Sequence, residues 1–374
     1  MKIVADENIP FAREAFSSLG DVTLAHGRRM PPLHDTDVLI VRSITRVDEA
    51  LLGNSPVRFV GTATIGYDHI DVDYLKKRNI GFASAPGSNS NSVSEYVVAA
   101  LLVYARDRGI TLDGRSIGVI GVGNVGSKVV RKCESLGMRV LKNDPPLYDK
   151  TRDPSFLPLG DVITADFITL HVPLAKDGDY PTYHMVNRDF VRSMNGVLIN
   201  SSRGSVVDEG ALSSALGGAV HAAILDVWEN EPNIDRSLAL RVSGTPHIAG
   251  YSFDGKVNGT QMMYDAVCHH FGIEPEWNAG EVLPPGATIA CSWVHGSTDE
   301  DVLRDAVHQV YDIERDFETF RRSMADFDRL RKEYPVRREF PTAKVLYVGA
   351  EYIQPLHGNA PAAGKLKGLG FNEV

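Results

Sequence analysis

Cysteine is scarce in this chain. Only Cys133, Cys268 and Cys291 occur in 374 residues, widely separated, with no CxxC and no Cys/His spacing that would ligate a metal. That excludes a disulfide framework and a zinc module; reduced thiols in a cytoplasmic protein are the plain expectation, with no metal site. Long apolar runs are missing too. The longest, Val97 to Ala105, is less than half of the ~20 residues that cross a bilayer, so no membrane association is expected. The start, MKIVADENIP, reaches Asp6 and Glu7 too early for a secretory leader. Basic charge is also lacking. Thirty-nine Lys and Arg stand against 48 Asp and Glu, a formal charge of −9, which argues against nucleic-acid binding. A small anionic substrate is compatible with it, because a few local arginines suffice.

What is present is an ordinary globular composition, 43% hydrophobic and 23% charged, long enough for two or three domains at about 150 residues each. KIVA, DVTLA, DVLIVRS, VRFVGTAT and GFASA read as strands punctuated by Gly, Pro, Asn and Asp. A second series follows in SIGVIG, RVLKND, FITLHV, GVLINSS, AAILDV and the residues before TPHIAG. Alternation of this kind predicts α/β architecture: two doubly wound parallel-sheet lobes, with the glycine-motif lobe inserted in the first. The helix predicted from Phe253 to about Gly272 returns to that first lobe. The expected domains are residues 1–93 with 257–282 as a substrate-binding lobe, 94–256 as a nucleotide-binding Rossmann domain, and 286–374 as a small C-terminal α+β module. In that module Leu303, Val310, Phe317 and Met324 recur every seven residues, with Val307, Phe320 and Phe327 between them. This stripe reads as a dimerisation face, with an internal helix pair as the alternative.

The most specific motif is SIGVIGVGNVGSKVVRKCESLGMRVLKNDPP. Gly121, Gly123 and Gly126 form GxGxxG between an apolar strand and an amphipathic helix, and the next strand ends at Asp144. Gly121 suits the tight turn, Gly123 the close approach of a pyrophosphate, and Gly126 the packing of helix on strand. Asn124 and Val125 complete the loop, whose free N–H groups would face the phosphates. Asp144 would take the ribose hydroxyls and repel a 2′-phosphate, favouring NAD over NADP, a preference that Lys142 and Lys150 nearby weaken.

Three further segments fall where strands of the second lobe should end. INSSRGSVVDEGAL supplies Ser201, Ser202 and Arg203; AAILDVWENEP supplies Asp226 and Glu231; GTPHIAGYS supplies His247, Gly250 and Tyr251. Each residue alone suits a surface ion pair, a loop charge or a satisfied turn. In this order, after GxGxxG, they resemble the D-isomer-specific 2-hydroxyacid dehydrogenases over roughly residues 40 to 270. The resemblance implies that Arg203 binds the substrate carboxylate and that Glu231 hydrogen-bonds His247, which exchanges the substrate proton. It also implies that Asp226 contacts the nicotinamide side of NAD, that Val172 in HVPL lines the cofactor cleft, that Gly250 lets the backbone pass close to the nicotinamide, and that Ser43, Thr64 and Tyr251 touch substrate. The chemistry suits these types independently. A histidine titrates in the range needed to take a hydroxyl proton, a carboxylate at its other nitrogen orients it, and an arginine grips a carboxylate at two points.

Departures from the general family narrow the substrate. They are the NDPP prolines, the loop PLAKDGDYPTYHMVN, Tyr251, and the added module with EYPVRREF. They resemble a branch of the family that acts on a small phosphorylated hydroxyacid as a homodimer. Arg337 or Arg338 would then reach the phosphate, with a solvated basic turn as the plainer alternative. Two rivals stay open: a 3-phosphoglycerate-oxidising relative with a serine-sensing extension, and a non-enzymatic NAD-sensing scaffold.

Overall fold

Strands β1 (Lys2–Asp6), β2 (Asp21–Ala25), β3 (Val38–Val41), β4 (Phe59–Thr62) and β5 (Gly81–Ala83) form an all-parallel sheet in the order β2-β1-β3-β4-β5. Strands β3 and β4 are buried at every position, as expected of a parallel sheet covered on both faces. The structure is a computed structural model, and it describes residues 1–292, 297–348, 353–355 and 362–373. The Phe253–Phe271 helix lies on this sheet. Ser252 caps its start by accepting from the Gly255 N–H, and Gly272 ends it at φ +67°. Gly61 on β4 leaves room for the Met263 sulfur of that helix, which a Cβ would meet at 2.9 Å.

The second sheet comprises β6 (Ser116–Ile120), β7 (Arg139–Asn143), β8 (Phe167–Leu170), β9 (Gly196–Asn200), β10 (Val220–Leu225) and β11 (Ser243–Gly244). It is also all-parallel, in the order β11-β10-β9-β8-β6-β7. The chain leaves β6 towards β7 on one side, and β8 lies on the other. The carboxyl ends of β6 and β8 therefore flank a topological switch point, where open α/β sheets bind ligands. The Ser90–Arg108 helix packs on this sheet with Tyr96, Val97, Leu101 and Ala105 inward.

Both predicted strand series are present, and the α/β fold with two parallel sheets is as the sequence indicated. The chain divides into two compact units: Met1–Asn89 with Ser252–Pro285, and Ser90–Tyr251 with Gly286–Val374. The C-terminal residues carry a small sheet of β12 (Thr288–Ser292), β13 (Lys344–Val348), β14 (Ile353–Pro355) and β15 (Asn372–Glu373). Expected as a separate module, they pack in the same unit as the nucleotide fold.

The sevenfold stripe is where the sequence reading needs correction. It lies on three short helices, Asp299–Val310, Ile313–Ser323 and Phe327–Lys332, and on the 3-10 turn Met324–Asp326 between the last two. Thr298 and Asp301 form a capping box at the first. The chain breaks at Tyr311, whose φ of −140° is extended, and Asp312 caps the restart on the Arg315 N–H. Leu303 and Val307 are buried with the Ser90–Arg108 helix, and Phe320, Met324 and Phe327 are buried with Trp228. Val310 and Phe317 pack against the same interior. The stripe is spent inside the chain, so it is not the exposed face on which the dimer expectation was built.

Candidate active site

Each segment singled out in the sequence follows a strand of the second sheet. After β6 the chain turns at Gly121, at φ +85°, where a Cβ would stand 2.7 Å from the His171 carbonyl oxygen and 2.9 Å from a Val172 methyl. This turn thus closes directly on the loop after β8. Gly126 opens the next helix (Gly126–Ser135), and a Cβ there would lie 1.9 Å from the Gly121 carbonyl oxygen. At Gly123 a Cβ would meet no heavy atom within 4 Å, and Asn124 beside it is exposed. Val125 offers no side-chain cap to the helix start; the Ser127 and Lys128 N–H groups already donate to the Gly123 and Val125 carbonyls, so an anion here would meet the N–H groups that precede them. The three glycines therefore divide their tasks: two permit close packing, and the third borders open space.

Asp144 follows β7. One carboxylate oxygen accepts from the Val122 N–H at 2.7 Å, and the other from the Leu147 N–H at 2.9 Å. It thereby ties the glycine loop to the short Pro145–Thr151 helix, a role the sequence did not disclose. Each oxygen retains a second lone pair for a ribose hydroxyl. Open space at Gly123, an uncapped helix start and an acid at the end of the second strand fit a dinucleotide without a 2′-phosphate. His171 accompanies Val172 beside this turn; burial pushes its imidazole down to about 3, so it is neutral, and Nε2 is 2.9 Å from the Thr169 hydroxyl.

After β9, Asn200 shapes the loop. Its Oδ1 accepts from the Ser202 N–H and hydroxyl, and its amide donates to the Arg203 carbonyl at 3.0 Å. The Ser201 hydroxyl is buried without a hydrogen-bond partner among the described residues. Arg203 is half-buried and donates from Nη1 to the Ser202 carbonyl at 2.8 Å. Gly204 presses on the next loop, where a Cβ would stand 1.9 Å from the Trp228 carbonyl oxygen. The Arg203 loop and the Glu231 loop are therefore in backbone contact.

Glu231 and His247 meet. Glu231 Oε2 lies 2.7 Å from His247 Nδ1, and Oε1 accepts from the Trp228 N–H at 2.9 Å. Burial works to raise the Glu231 carboxyl, but the hydrogen bond and charge of His247, the Trp228 N–H and the charge of Arg331 outweigh it and hold it below its ordinary value. It is a carboxylate at neutral pH, and His247 keeps Nε2 for another partner. The sixteen-residue separation concealed this pairing from local inspection.

His247 stands at φ +58°, left-handed backbone that a residue with a Cβ adopts only when held there. Asp226, 1% exposed, does much of the holding. Its carbonyl accepts the His247 N–H at 2.7 Å, and its carboxylate accepts the Thr245 hydroxyl, the Ile248 N–H and the Ala249 N–H. Both carboxylate oxygens serve the loop, a positioning role not foreseen for a residue read as a cofactor contact. The Trp228 indole donates to the Thr245 carbonyl at 2.9 Å. Gly250 and Tyr251 follow half-buried; the Tyr251 ring meets Tyr334 edge-on at 6.1 Å and lies beneath the Arg331 guanidinium.

The other predicted contacts belong to the first unit. Ser43 is exposed just past β3, next to Arg42, whose guanidinium faces the buried Asp6 at 3.2 Å. Thr64 lies past β4 and donates to the Gly66 carbonyl at 2.9 Å. Arg337, expected to reach outward, is buried at 5% exposure; its Nη2 donates to the Ala249 carbonyl at 2.6 Å. Its position in the chain gave no sign that the interior needed a cation there.

Residues 93–249 match the family model described as D-isomer specific 2-hydroxyacid dehydrogenase, NAD binding domain. Residues 282–357 match one described as a domain of unknown function, DUF3410. The D-lactate dehydrogenase of Aquifex aeolicus, complexed with NAD and lactic acid, superposes with a TM-score of 0.57 at 25% identity, covering 73% of this chain and 96% of that one. NAD-bound 3-phosphoglycerate dehydrogenase of Entamoeba histolytica gives 0.62 at 22% identity, over 74% and 98%. Fold and relatives together define an NAD-dependent oxidoreductase. An erythronate-4-phosphate dehydrogenase of Escherichia coli is 43% identical over 384 residues, covering 100% of this chain and 99% of its own. The enzyme of that name from Proteus mirabilis is 41% identical with the same coverage. The chain belongs to the D-isomer-specific 2-hydroxyacid dehydrogenase family, in the branch of the erythronate-4-phosphate dehydrogenases.

Proposed function

We propose that the protein oxidises 4-phospho-D-erythronate to 2-oxo-3-hydroxy-4-phosphobutanoate with NAD, a step that serves pyridoxal 5′-phosphate synthesis. The observation that carries the chemistry is the 2.7 Å contact of Glu231 with His247 Nδ1; full-length identity above 40% to enzymes named for this substrate carries the specificity. His247 takes the hydroxyl proton on Nε2 as the C2–H bond breaks, and the Glu231 carboxylate steadies the resulting imidazolium. Arg203 grips the substrate carboxylate at two points and fixes C2. NAD held here would supply the hydride acceptor for the oxidation at C2. Gly121, Gly123, Asn124, Val125, Gly126, Asp144, Val172, Ser201, Ser202, Arg203, Asp226 and Gly250 form its site. Ser43, Thr64 and Tyr251 contact the substrate.

The same reading assigns residues 1–93 with 257–282 to substrate, 94–256 to NAD and 286–374 to dimerisation, in a cytoplasmic homodimer. Light scattering on the eluted protein tests the dimer. The functional test is a panel of D-2-hydroxyacids with and without a 4-phosphate, followed by NADH absorbance, with a 2-oxoacid acceptor present in case NADH stays bound. Faster turnover of 3-phosphoglycerate than of 4-phosphoerythronate would overturn the substrate; no hydride transfer to any member would revive the scaffold reading.

A further inference from the structure

The Ala249 carbonyl receives two donors. The Ser92 hydroxyl donates to it at 2.7 Å, and Arg337 Nη2 donates to it at 2.6 Å while also bonding the Ser92 hydroxyl. One neutral donor already satisfies a buried carbonyl, so hydrogen-bond accounting does not require the second. Burying a guanidinium is costly, and Arg337 is buried. Its Nε and Nη1 have no hydrogen-bond partner among the described residues, and the aromatic and acidic surroundings offset part of the cost. Its Cζ lies 4.1 Å from the Tyr311 ring centroid. The Tyr311 and Tyr334 hydroxyls both donate to Asp316, at 3.0 and 2.7 Å. The flanking segment is pinned to the Ser90–Arg108 helix, because Asn91 donates to Glu339 at 2.8 Å and the Phe340 N–H donates to Glu95 at 2.9 Å.

Ala249 lies two residues after His247, which stands at φ +58°. Asp226 holds the His247–Ala249 segment through the N–H groups of all three residues. Arg337 and Ser92 hold it through the Ala249 carbonyl. Two more residues of the C-terminal region reach the same loops. Phe320 lies 5.4 Å from the Trp228 ring, and Trp228 donates to both Glu231 and the Thr245 carbonyl. Arg331 stands 5.6 Å over the Tyr251 ring.

We propose that Arg337 is a positioning residue for the reaction: clamped on the Ala249 carbonyl, it holds the left-handed His247 loop in its working geometry, so the domain of unknown function acts in catalysis through its own chain. The proposal rests on the reading of His247 as acid/base. It gives this region a task independent of dimerisation.

The experiment measures kcat, KM for 4-phosphoerythronate and NADH affinity by fluorescence in Arg337→Ala, Arg337→Lys, Ser92→Ala, His247→Ala and the Arg337→Ala/His247→Ala double variant. Arg337→Ala should lower kcat about 10- to 100-fold, the scale of a small misplacement of a reacting group, with KM and NADH affinity unchanged. Arg337→Lys should recover part of the loss, since an ammonium can still donate to the carbonyl. In the His247→Ala background the Arg337 change should cost nothing more. Multiplicative losses in the double variant, or loss of NADH binding in parallel with kcat, would overturn the proposal. If Arg337→Ala does not fold, Arg337→Lys and Ser92→Ala decide, and full kcat in both sinks the idea. Wild-type turnover in His247→Ala would remove the acid/base reading and this proposal with it; wild-type turnover in Arg337→Ala removes this proposal alone.

Discussion

Trp228 and Glu231 are joined across three residues: the Trp228 N–H donates to Glu231 Oε1 at 2.9 Å, leaving Oε2 for His247. The carboxylate is thus fixed by backbone before it meets the imidazole, so its charge can be removed while its shape is kept. Glu231→Gln should lower kcat by about two orders of magnitude, within the usual worth of acid–base assistance. In the oxidation direction the neutral imidazole is the active form. Loss of the negative charge removes the group that steadies the imidazolium formed as the proton moves, so the kcat/KM profile should drop across the pH range. A profile superimposable on wild type would remove Glu231 from the proton path.

His247 combines a chemical role with a backbone demand, and two substitutions separate them. His247→Ala and His247→Asn should both lose about 10²- to 10⁴-fold in kcat while NADH still binds. They should differ in stability. Asparagine tolerates the left-handed conformation that the loop imposes at φ +58°, whereas alanine pays about 1–2 kcal/mol for it. Equal melting temperatures for the two would show that the loop relaxes once the imidazole is gone.

The motif glycines give a sharper contrast. Gly126→Ala places a methyl 1.9 Å from the Gly121 carbonyl oxygen, so the strand and helix must part, at a cost of about 1–3 kcal/mol. Gly123→Ala meets nothing in the protein, so its melting temperature should stay at the wild-type value. Its NADH affinity should still fall about tenfold or more, the equivalent of roughly 1.4 kcal/mol. A Gly123→Ala variant with full NADH affinity would show that the open space at this turn is not where the pyrophosphate lies.

Much of this was legible in the sequence because parallel strands and glycine turns are local signals. Strand β6, SIGVI, is buried at all five positions, and an apolar run followed by GxGxxG announces that. The Phe253–Phe271 helix lies where the sequence places one, from Phe253 to about Gly272. The holding groups were not legible. Asp226 reads as a strand-end acid, but its partners are mostly backbone N–H groups, which every loop offers. The sevenfold spacing from Leu303 to Met324 suits a dimerisation face as well as an internal helix pair. Spacing does not show that the chain breaks at Tyr311 and turns the stripe inward on both sides of the break. Arg337 and Arg338 looked alike as neighbours in a basic turn, and only the fold takes Arg337 inside.

His171 lies beside the glycine turn, its carbonyl oxygen 2.7 Å from where a Gly121 Cβ would stand. Its folded pKa is driven to about 3 from an ordinary 6.5 by burial. Between those values the unfolded chain binds a proton that the folded chain does not. Stability therefore rises with pH through this window, and is lost as pH falls from about 6.5 towards 3. His171→Gln keeps a side chain able to pair with the Thr169 hydroxyl, which now lies 2.9 Å from Nε2, and removes the titration. Its melting temperature should decline less steeply than wild type over that range, with the two curves parallel above pH 7. Glu231, held below its ordinary 4.5, gives a loss that begins only in stronger acid, so a difference between the curves near pH 6 reports His171. Parallel melting curves from pH 7 down to pH 4 would show that the imidazole is not buried as a neutral ring.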